Sequence, residues 1–357
     1  MSFNFYDTKF SQSENIDVDR EYNANEIENK KYVKGSVVAI FDLDTICYPV
    51  SAVCDKTSID VTKIGSSGKT RNFKNRTEFK KLCKVKGLDI SDFVINDVVV
   101  PEPIENCLYS IRSSIDKLMK EVGATHAEYY VGGSGNFRLS LPLPIQYKGN
   151  RSGMRKPTHL KEAVNYTIKK YKAKKISGIE CDDMVNIRAI EINKQEGVKG
   201  VLVSTDKDIF ATFASPIYTY RQGELKYISE TLGELHFKSN GGLIGTGLKW
   251  QLTQALITGD STDNYIPRHF FKKRYGEKVW YKDVKEIDNV KDFLIFATNK
   301  FRELVGDIVE FVDWEGKQQR MTYLELADLY FLSAYMKTSS NDKRTYQSLL
   351  EEFEVDI

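Results

Sequence analysis

Aspartate and glutamate residues gather in four short clusters of this 357-residue sequence. One cluster follows an apolar run at residues 37–41, and another follows the run VLVS at residues 201–204. A third opens a predicted helix near residue 180, and the last follows a helix predicted over residues 248–258. The clusters are Asp42 with Asp44; Glu180, Asp182 and Asp183; Asp206 with Asp208; and Asp260 with Asp263.

The placement of these acids favours a metal site. Ligands of open α/β sheets bind beyond the carboxyl ends of the strands, where two of the clusters lie. Converging carboxylates repel one another unless cations neutralise them or several are protonated. Oxygen donors suit Mg²⁺ or Mn²⁺, and two such ions about 3.5–4 Å apart serve in-line phosphodiester cleavage. Any one cluster alone is also explained by the preference of acids for turns and helix N-termini.

A basic and aromatic segment, residues 135–157, could supply contacts to a phosphate polymer. Its cations could hold a phosphate and stabilise developing charge. Tyr147 could stack on a base, a contact typically worth about 1–3 kcal/mol. A surface loop whose aromatic residues cover the domain edge is the alternative. The cations are Arg138, Lys148, Arg151, Arg155 and Lys156.

The net charge of +2 conceals two basic stretches. Residues 63–86 contain nine Lys or Arg and one acid, and residues 148–175 contain ten Lys or Arg and one acid. The last seven residues carry four acids. Clustered positive charge is typical of a polyanion-binding surface, although solvated helix faces produce the same composition.

Composition excludes several classes of protein. Apolar residues make up 41% and charged residues 29%, which is a globular mixture. No run approaches 18 apolar residues, so a membrane span is not expected. The N-terminus has no apolar signal core, and the five cysteines form no CxxC pair. We therefore expect reduced thiols, no zinc site and a cytoplasmic location.

Two glycine-rich segments resemble phosphate-binding loops without matching them. The segment IGSSGKT at residues 64–70 has Lys63 where a P-loop requires glycine, so a hairpin turn is the better interpretation. The segment GGLIGTG at residues 241–247 follows no convincing strand and is interpreted as a loop.

The elements that must position the acids form an α/β pattern. Strands predicted at residues 37–41, 127–131 and 200–204 alternate with helices at 104–122, at 159–173 and from about 180. The pattern predicts an α/β fold with a mainly parallel central sheet flanked by helices, and a C-terminal helical region. The predicted segments are a polar tail (1–34), an α/β domain (35–247) with a basic hairpin insertion (57–86), a helical nucleic-acid-binding region (248–300) and a C-terminal helical extension (301–357).

Six segments in this order resemble the 5′→3′ exonuclease and flap endonuclease family. They are FDLDTICY, NFR, YKGNR, GIECDD, STDKD and TGDSTDN. This family has a PIN-like nuclease fold and includes the N-terminal domain of bacterial DNA polymerase I. The resemblance covers roughly residues 36–267 and is strongest to phage-encoded members.

The resemblance implies a role for each matched residue. Asp42, Glu180, Asp182 and Asp183 would hold one ion, and Asp206, Asp208, Asp260 and Asp263 would hold a second. Arg138, Lys148 and Arg151 would hold the scissile phosphate.

The resemblance also implies an activity and its setting. Activated water would hydrolyse a phosphodiester near the 5′ end of a DNA flap, a duplex or an RNA–DNA hybrid, in primer removal, replication or recombination. Mg²⁺ or Mn²⁺, two ions in all, would be the cofactor. The protein would be a monomer that meets replication proteins, in the host cytoplasm if it is phage-encoded.

The sequence departs from the family pattern in three places. The strand before NFR ends in VGG and lacks the family's acid, so Asp44 is the candidate substitute. After Asp263 there is no Gly-x-Gly, so backbone binding would depend on charge without a monovalent-cation site. The short spacing between YKGNR and GIECDD leaves room for one helix and not for a tall arch. The basic residues after Asp263 are Arg268, Lys272, Lys273 and Arg274.

Two other functions remain as alternatives. FDLDT also resembles the first motif of haloacid-dehalogenase-type phosphatases, in which the first aspartate is the nucleophile. That family has glycine after its second aspartate, whereas Thr45 follows Asp44 here, and ECDD, STDKD and YKGNR stay unexplained. The second alternative is a structure-specific nucleic-acid-binding protein whose catalysis is impaired by the missing acid.

Overall fold

The computed structural model describes residues 16–65, 69–213, 215–229 and 231–356. The chain divides into two compact units. The first comprises Met1–Thr45, Leu118–Met154 and Ile168–Ile357, and the second comprises Ile46–Lys117 and Arg155–Thr167. Among the described residues, no helix is both long and apolar enough to cross a bilayer.

Fourteen strands and ten α-helices are defined over the described ranges. The strands are β1 (Glu21–Asn23), β2 (Val37–Asp42), β3 (Asp55–Lys63), β4 (Thr70–Phe73), β5 (Phe93–Pro101), β6 (His126–Gly132), β7 (Lys174–Ser177), β8 (Lys199–Val203), β9 (Ile217–Arg221), β10 (Glu224–Ile228), β11 (Leu235–Phe237), β12 (Leu243–Gly245), β13 (Ile308–Val312) and β14 (Gln318–Thr322). The helices are α1 (Asp44–Val53), α2 (Arg76–Lys86), α3 (Ile104–Glu121), α4 (Leu160–Tyr171), α5 (Cys181–Asn193), α6 (Gly247–Leu252), α7 (Glu277–Val284), α8 (Val290–Val305), α9 (Tyr323–Ala334) and α10 (Tyr346–Glu352).

A seven-stranded sheet runs through the first unit in the order β1-β7-β6-β2-β8-β9-β10. All neighbouring strands from β1 to β9 are parallel, and only β10 runs antiparallel to its neighbour β9. The predicted mainly parallel α/β sheet is therefore confirmed. The three strands predicted from the sequence correspond to β2, β6 and β8, and the three predicted helices correspond to α3, α4 and α5.

The centre of this sheet explains where the acids lie. β2 is VVAIFD, and its residues from Val38 to Asp42 are buried, as is typical of a parallel strand covered on both faces. β2 pairs with β6 on one side and with β8 on the other, with Phe41 opposite both Tyr129 and Val203. The carboxyl ends of β2, β6 and β8 therefore share one edge of the sheet.

Helix α5 packs on this sheet as a buried helix. Ten of its thirteen residues are buried, so it has no polar face. Glu180 is its N-cap, and the backbone amide of Glu180 donates to Asp183 Oδ2 at 3.1 Å. This capping arrangement fixes the positions of the acids in GIECDD at the start of the helix.

The N-terminal segment corrects the prediction of a loose tail. Glu21–Asn23 forms β1, which pairs in parallel with β7, and a 3₁₀ turn follows at Ala24–Glu26. A three-residue strand is too short to show an alternating pattern, and its partner lies far away in the sequence. Residues 1–15 of the predicted tail lie outside the described residues.

The region after residue 240 also differs in detail from the prediction. The supposed loop GGLIGTG contains β12, which pairs with β11, and α6 continues as a π-helical turn at Thr253–Thr258. The predicted helical extension is mainly helical but contains the antiparallel hairpin β13–β14. Its core is aromatic, with Phe301 and Phe331 buried.

The second unit contains the predicted hairpin. β3 pairs antiparallel with both β4 and β5, which gives the order β4-β3-β5. Ile59, Val61, Phe79 and Cys83 form a small core of their own between this sheet and α2. The turn residues 66–68 lie outside the described residues.

Candidate metal centre

Asp42 stands at the end of β2 and is almost completely buried, with 4% of its surface exposed. Its Oδ1 accepts a hydrogen bond from the amide of Asp44 at 3.1 Å, and its Oδ2 accepts one from Ser204 Oγ at 3.2 Å. Burial, followed by the charges of Asp44 and Asp206, raises the pKa of Asp42 to about 7. The ionised form of Asp42 is therefore unfavourable unless a cation stabilises it.

Asp44 lies against the end of β6. Its Oδ2 accepts a hydrogen bond from the amide of Gly132 at 2.9 Å. A Cβ atom at Gly132 would lie only 2.7 Å from the same oxygen. The carboxylate therefore takes the space that a side chain at the end of β6 would need. Burial raises the pKa of Asp44 as well.

Cys181 joins these two aspartates. Asp42, Asp44 and Cys181 each offer one donor atom, and the three atoms lie within 4.8 Å of one another. This is the only such group of three among the described residues. Burial, followed by the charges of Asp42 and Asp44, raises the pKa of the thiol.

The sequence reasoning missed Cys181. A search for paired Cys and His motifs does not detect it, because its partners are carboxylates from another element. Its place between Glu180 and Asp182 in GIECDD was the one available signal.

Glu180 and Asp182 extend the acidic surface beside this group. Burial, then the charges of Glu180 and Asp183, raises the pKa of Asp182 well above its usual range. Glu180 accepts hydrogen bonds from Asn136 Nδ2 at 2.7 Å and from Tyr147 OH at 3.1 Å, and it also pairs with Lys148. The three acids of GIECDD therefore have three different environments.

Asp183 is engaged in a buried ion pair with Arg138. Nη1 and Nη2 of Arg138 donate to the two carboxylate oxygens at 2.7 and 3.0 Å, and the amide of Lys337 donates to Oδ1 at 2.9 Å. Although burial opposes it, the pKa of Asp183 is lowered, because Arg138 stabilises the charge.

This pairing corrects the expectation that Arg138 holds the scissile phosphate. Arg138 is 2% exposed and also donates to the carbonyl oxygen of Tyr335. Its cation is already neutralised within the core. Asp183 shares this buried ion pair, so the pair holds the start of α5 in place, and a role for Asp183 as a metal ligand stays a prediction.

Lys148 and Arg151 surround Asp263. Lys148 Nζ lies 3.8 Å from Asp263 Oδ2, and Arg151 Nη2 donates to Oδ1 at 2.5 Å. The backbone is tied as well, since the amide of Lys148 donates to the carbonyl oxygen of Asp263 at 2.8 Å. The structure thus brings the segments YKGNR and GDSTDN together.

Tyr147 does not fit the predicted stacking role. Its side chain is 2% exposed, and its hydroxyl donates to Asp263 Oδ2 at 2.9 Å. Its ring lies nearly parallel to that of Tyr265, with the centroids 6.2 Å apart. No face of the ring is free for a base, so the prediction of base stacking by Tyr147 is wrong, and Tyr147 orients Glu180 and Asp263.

Asp206 and Asp208 follow β8. The amide of Asp208 donates to Asp206 Oδ1 at 3.0 Å, and Gln254 Nε2 donates to Asp208 Oδ1 at 2.5 Å. Burial, then the charge of Asp206, raises the pKa of Asp208 to about 7. The charge of Asp206 therefore raises the pKa of both Asp42 and Asp208.

Asp260 is paired with a lysine that the sequence reasoning did not single out. Lys207 Nζ donates to Asp260 Oδ2 at 2.7 Å and lies 3.7 Å from Asp208 Oδ1. Burial opposes the change, but Lys207 lowers the pKa of Asp260. The predicted ligands of a second ion do not form a three-donor group over the described residues. Lys207 and Arg151 also neutralise two of them. These two are Asp260 and Asp263.

The outer basic residues have varied environments. In the second unit, Arg155 Nη2 donates to Asp55 Oδ2 at 2.9 Å. In the first, Arg268 Nε donates to the carbonyl oxygen of Ile257 at 3.0 Å, and Lys273 pairs with Glu303. Three others are exposed, and nucleic-acid contact by this set stays a prediction. They are Lys156, Lys272 and Arg274.

The donor set fits a divalent cation. Burial and like charge raise the pKa of each of four acids, and for Asp44 the charge of Lys148 opposes this only in part. A cation would relieve this repulsion. Two carboxylates suit Mg²⁺ or Mn²⁺, and a sulfur donor shifts the preference from Mg²⁺ towards softer ions. The four acids are Asp42, Asp44, Asp182 and Asp208.

Comparison with known proteins gave matches at the level of structure only. No protein-family model matches the sequence, and no curated protein matches it. A crystal structure of the bacteriophage T5 flap endonuclease with DNA and metal ions is similar, with a TM-score of 0.45 and 13% identity, over 89% of this chain and 98% of that chain.

Two further structures of T5 proteins are similar. One, co-crystallised with metal ions, gives a TM-score of 0.43 and 17% identity over 85% of this chain and 89% of that chain. The other, a T5 5′-exonuclease with bound zinc, gives 0.43 and 18% over 70% of this chain and 90% of that chain. Identities and scores are low in all three, so the functional assignment depends on the side chains of this chain.

Proposed function

We propose that this protein is a metal-dependent 5′→3′ exonuclease and flap endonuclease. The observation that carries the proposal is the group formed by Asp42, Asp44 and Cys181 at the carboxyl edge of a parallel sheet, with donor atoms within 4.8 Å of one another. Lys148 and Arg151 lie beside further acids of the same unit. Buried acids next to retained cations suit a reaction that develops charge on a phosphate.

The residues of the proposed ion site have different roles. Asp42 and Asp44 would hold one divalent ion with Cys181, and that ion would supply Lewis acidity for phosphodiester hydrolysis. Ser204 and the amide of Gly132 orient the two carboxylates by hydrogen bonds. We also propose a second ion near Asp206 and Asp208. If Asp260 is to bind this ion, its ion pair with Lys207 must break.

Lys148 is the residue best placed to contact the substrate phosphate. Burial alone would lower its pKa, but the charges of Glu180 and Asp263 raise it, so the ammonium stays protonated at neutral pH. Its side chain is 24% exposed, unlike that of Arg138. A fixed ammonium group that solvent can reach stabilises charge on a phosphate.

The substrate in this proposal is a 5′ end of DNA or of an RNA–DNA hybrid. The protein would act as a monomer in the cytoplasm, together with replication proteins. Support comes from the segments FDLDTICY to TGDSTDN and from the side chains that they bring together in the first unit.

The structure gives less support to the phosphatase alternative. A phosphatase of that type needs an accessible nucleophilic aspartate, and Asp42 is buried with both oxygens in hydrogen bonds. The binding-protein alternative is weakened because Asp44 brings a carboxylate to the end of β6, where the sequence lacks one.

The proposal is tested with a 5′-labelled flap duplex and a matching 5′-labelled RNA–DNA hybrid. Each is incubated with the protein in Mg²⁺, in Mn²⁺ and in chelator, and a closed circular duplex without 5′ ends is the control. We expect metal-dependent release of short labelled products from the linear substrates and none from the circle. Tight binding without cleavage under every condition would favour the binding protein, and a covalent phosphate on Asp42 would favour the phosphatase.

A further inference from the structure

Helix α2 of the second unit carries lysines that have no acidic partner within the described parts of the chain. Lys80, Lys81, Lys84 and Lys86 are all exposed, and none takes part in an ion pair with a described residue. The one acid of the helix, Glu78, is used at its N-terminus, where its Oε2 accepts from the amide of Lys74 at 2.8 Å.

The small core of this unit fixes which face of α2 meets solvent. Phe79 and Cys83 are buried against Ile59 and Val61. At 100° per residue, Lys81 and Lys84 lie on the opposite side of the helix, with Lys80 beside them. The helix cannot rotate to separate these lysines without exposing its apolar side chains.

Neighbouring like charges on this face repel one another weakly, and a bound polyanion would relieve the repulsion. Lys80 and Lys84 are four residues apart and Lys81 and Lys84 are three apart, spacings at which side chains are neighbours and like charges destabilise a helix. The C-terminal dipole favours Lys84 and Lys86 in the last turn. It does not account for Lys80 and Lys81, which lie further from that end.

Strand β4 of the same unit carries a further cation. Arg71 pairs in register with Val61, whose side chain is buried under α2. Because cross-strand partners point to the same face, Arg71 projects on the helix side of the sheet. Arg76 is excluded from the set, since its Nη2 donates to Asp97 Oδ2 at 2.8 Å.

We propose that the basic face of α2, formed by Lys80, Lys81 and Lys84, binds the phosphate backbone of duplex nucleic acid, with Arg71 of β4 as a further cation of the same unit. The argument is charge complementarity, because residues 63–86 hold nine cations and one acid. Lysines contact phosphates as point charges, so this surface gives affinity and not base specificity. The binding needs no metal, so it goes beyond the proposed hydrolytic function.

A lipid surface fits this face less well. Membrane-surface helices bury an apolar face in the lipid, but the apolar face of α2 is already covered by its own sheet. The large apolar side chain that remains exposed on α2 is Val85. One valine is a weak anchor compared with the three lysines around it.

The test uses the full-length protein in chelator, with fluorescence anisotropy of a labelled duplex DNA and of a duplex RNA of matching sequence. A triple variant, Lys80→Ala with Lys81→Ala and Lys84→Ala, is compared with a control of equal charge change. The control removes cations that are paired with acids: Lys34, Lys317 and Arg320. Circular dichroism and thermal unfolding establish that both variants are folded.

We expect the α2 variant to bind duplex at least about tenfold more weakly near 0.1 M salt, and the slope of log K against log salt to fall by about 2–3. The paired-cation control changes both quantities little, and replacing the same lysines by arginine restores binding. Equal losses in the two triple variants would show a general charge effect and overturn the proposal. The proposal would also be overturned if duplex binding stayed unchanged while binding of polyglutamate was lost, because the face would then bind acidic proteins.

Because the readout is binding in chelator, failure of the nuclease proposal is distinguishable from failure of this one. A protein that binds through α2 but never cleaves would refute only the former.

Discussion

The carboxylate of Asp44 occupies the space in which a side chain at residue 132 would begin. Oδ2 of Asp44 lies 2.9 Å from the amide nitrogen of Gly132 and 2.7 Å from the position of a Cβ at that residue. Asp44, at the start of α1, thus places a carboxylate at the end of β6, and β6 has no acid of its own at that end. The two positions are complementary, and each constrains what the other can be.

Gly132→Ala is expected to destabilise the protein by about 1–3 kcal/mol, because the added methyl group collides with the Asp44 carboxylate. In the double variant with Asp44→Ala, most of this loss should disappear, since the colliding oxygen is gone. Urea unfolding of the two single variants and the double variant measures the coupling between the sites. Strictly additive losses would contradict the contact.

The metal-free protein is expected to lose stability as pH rises from about 4 to about 7. In the folded state the pKa of Asp42 and that of Asp208 are raised to about 7, whereas an unfolded carboxyl group has a pKa near 4. The folded state therefore binds more protons between these limits, and the stabilisation present below the unfolded pKa is lost as the groups ionise.

Thermal unfolding at pH 6 and pH 8, in chelator and in Mg²⁺ or Mn²⁺, measures this effect. We expect the chelated protein to melt at a lower temperature at pH 8, and a divalent ion to restore it. Asp42→Asn should flatten the dependence, because one titrating group is removed. A chelated protein as stable at pH 8 as at pH 6 would contradict the prediction. The groups facing Asp42 are Asp44, Cys181, Ser204 and Asp206.

Arg138→Ala should destabilise the fold by about 3–5 kcal/mol, because it leaves the buried carboxylate of Asp183 without its partner. Asp183→Asn should have a similar effect through Arg138. Urea denaturation provides the measurement, and Lys34→Ala, which removes an exposed cation paired with Glu196, is the control with little change. If Arg138→Ala were fully stable and only slow in cleavage, the residue would be a phosphate contact after all.

Asp206→Asn is expected to lower cleavage by roughly 100-fold or more, since a negative charge of the proposed second ion site is lost. Nucleic-acid binding should stay close to that of the unmodified protein. Single-turnover cleavage and anisotropy binding are measured side by side, with the exposed acid changed in Asp307→Asn as the control. Full activity of Asp206→Asn would remove this residue from the proposed metal centre.

Lys148→Ala should reduce kcat more than it raises KM, because the ammonium acts on charge that develops during the reaction. Steady-state kinetics on the flap duplex separate the two parameters, and Lys156→Ala serves as an exposed neighbour from the same basic segment. A raised KM with unchanged kcat for Lys148→Ala would reduce its role to ordinary phosphate binding. Lys148→Arg should recover part of the activity, since it keeps the charge.

Much of the fold was readable from the sequence because its signals are local. The runs that became β2 and β8 are continuous and β-branched, as buried parallel strands require, and an aspartate follows each of them closely. The hairpin β3–β4 was equally visible, from two short runs around a glycine turn. By contrast, β1 and the hairpin β13–β14 are short or irregular, and their pairing depends on distant or weakly patterned partners.

The sequence by itself therefore indicated that aspartates closely follow the strands β2 and β8 and that the chain contains basic segments. Only the tertiary structure decided what each of these residues does. Arg138 and Asp183 are 45 residues apart, and Asp44 and Gly132 are 88 apart, so no spacing rule links them. Tyr147 and Arg138 are buried, and the packing of α5 against the sheet places Cys181 beside Asp42. Such packing depends on the whole fold and is not visible in any short segment of the sequence.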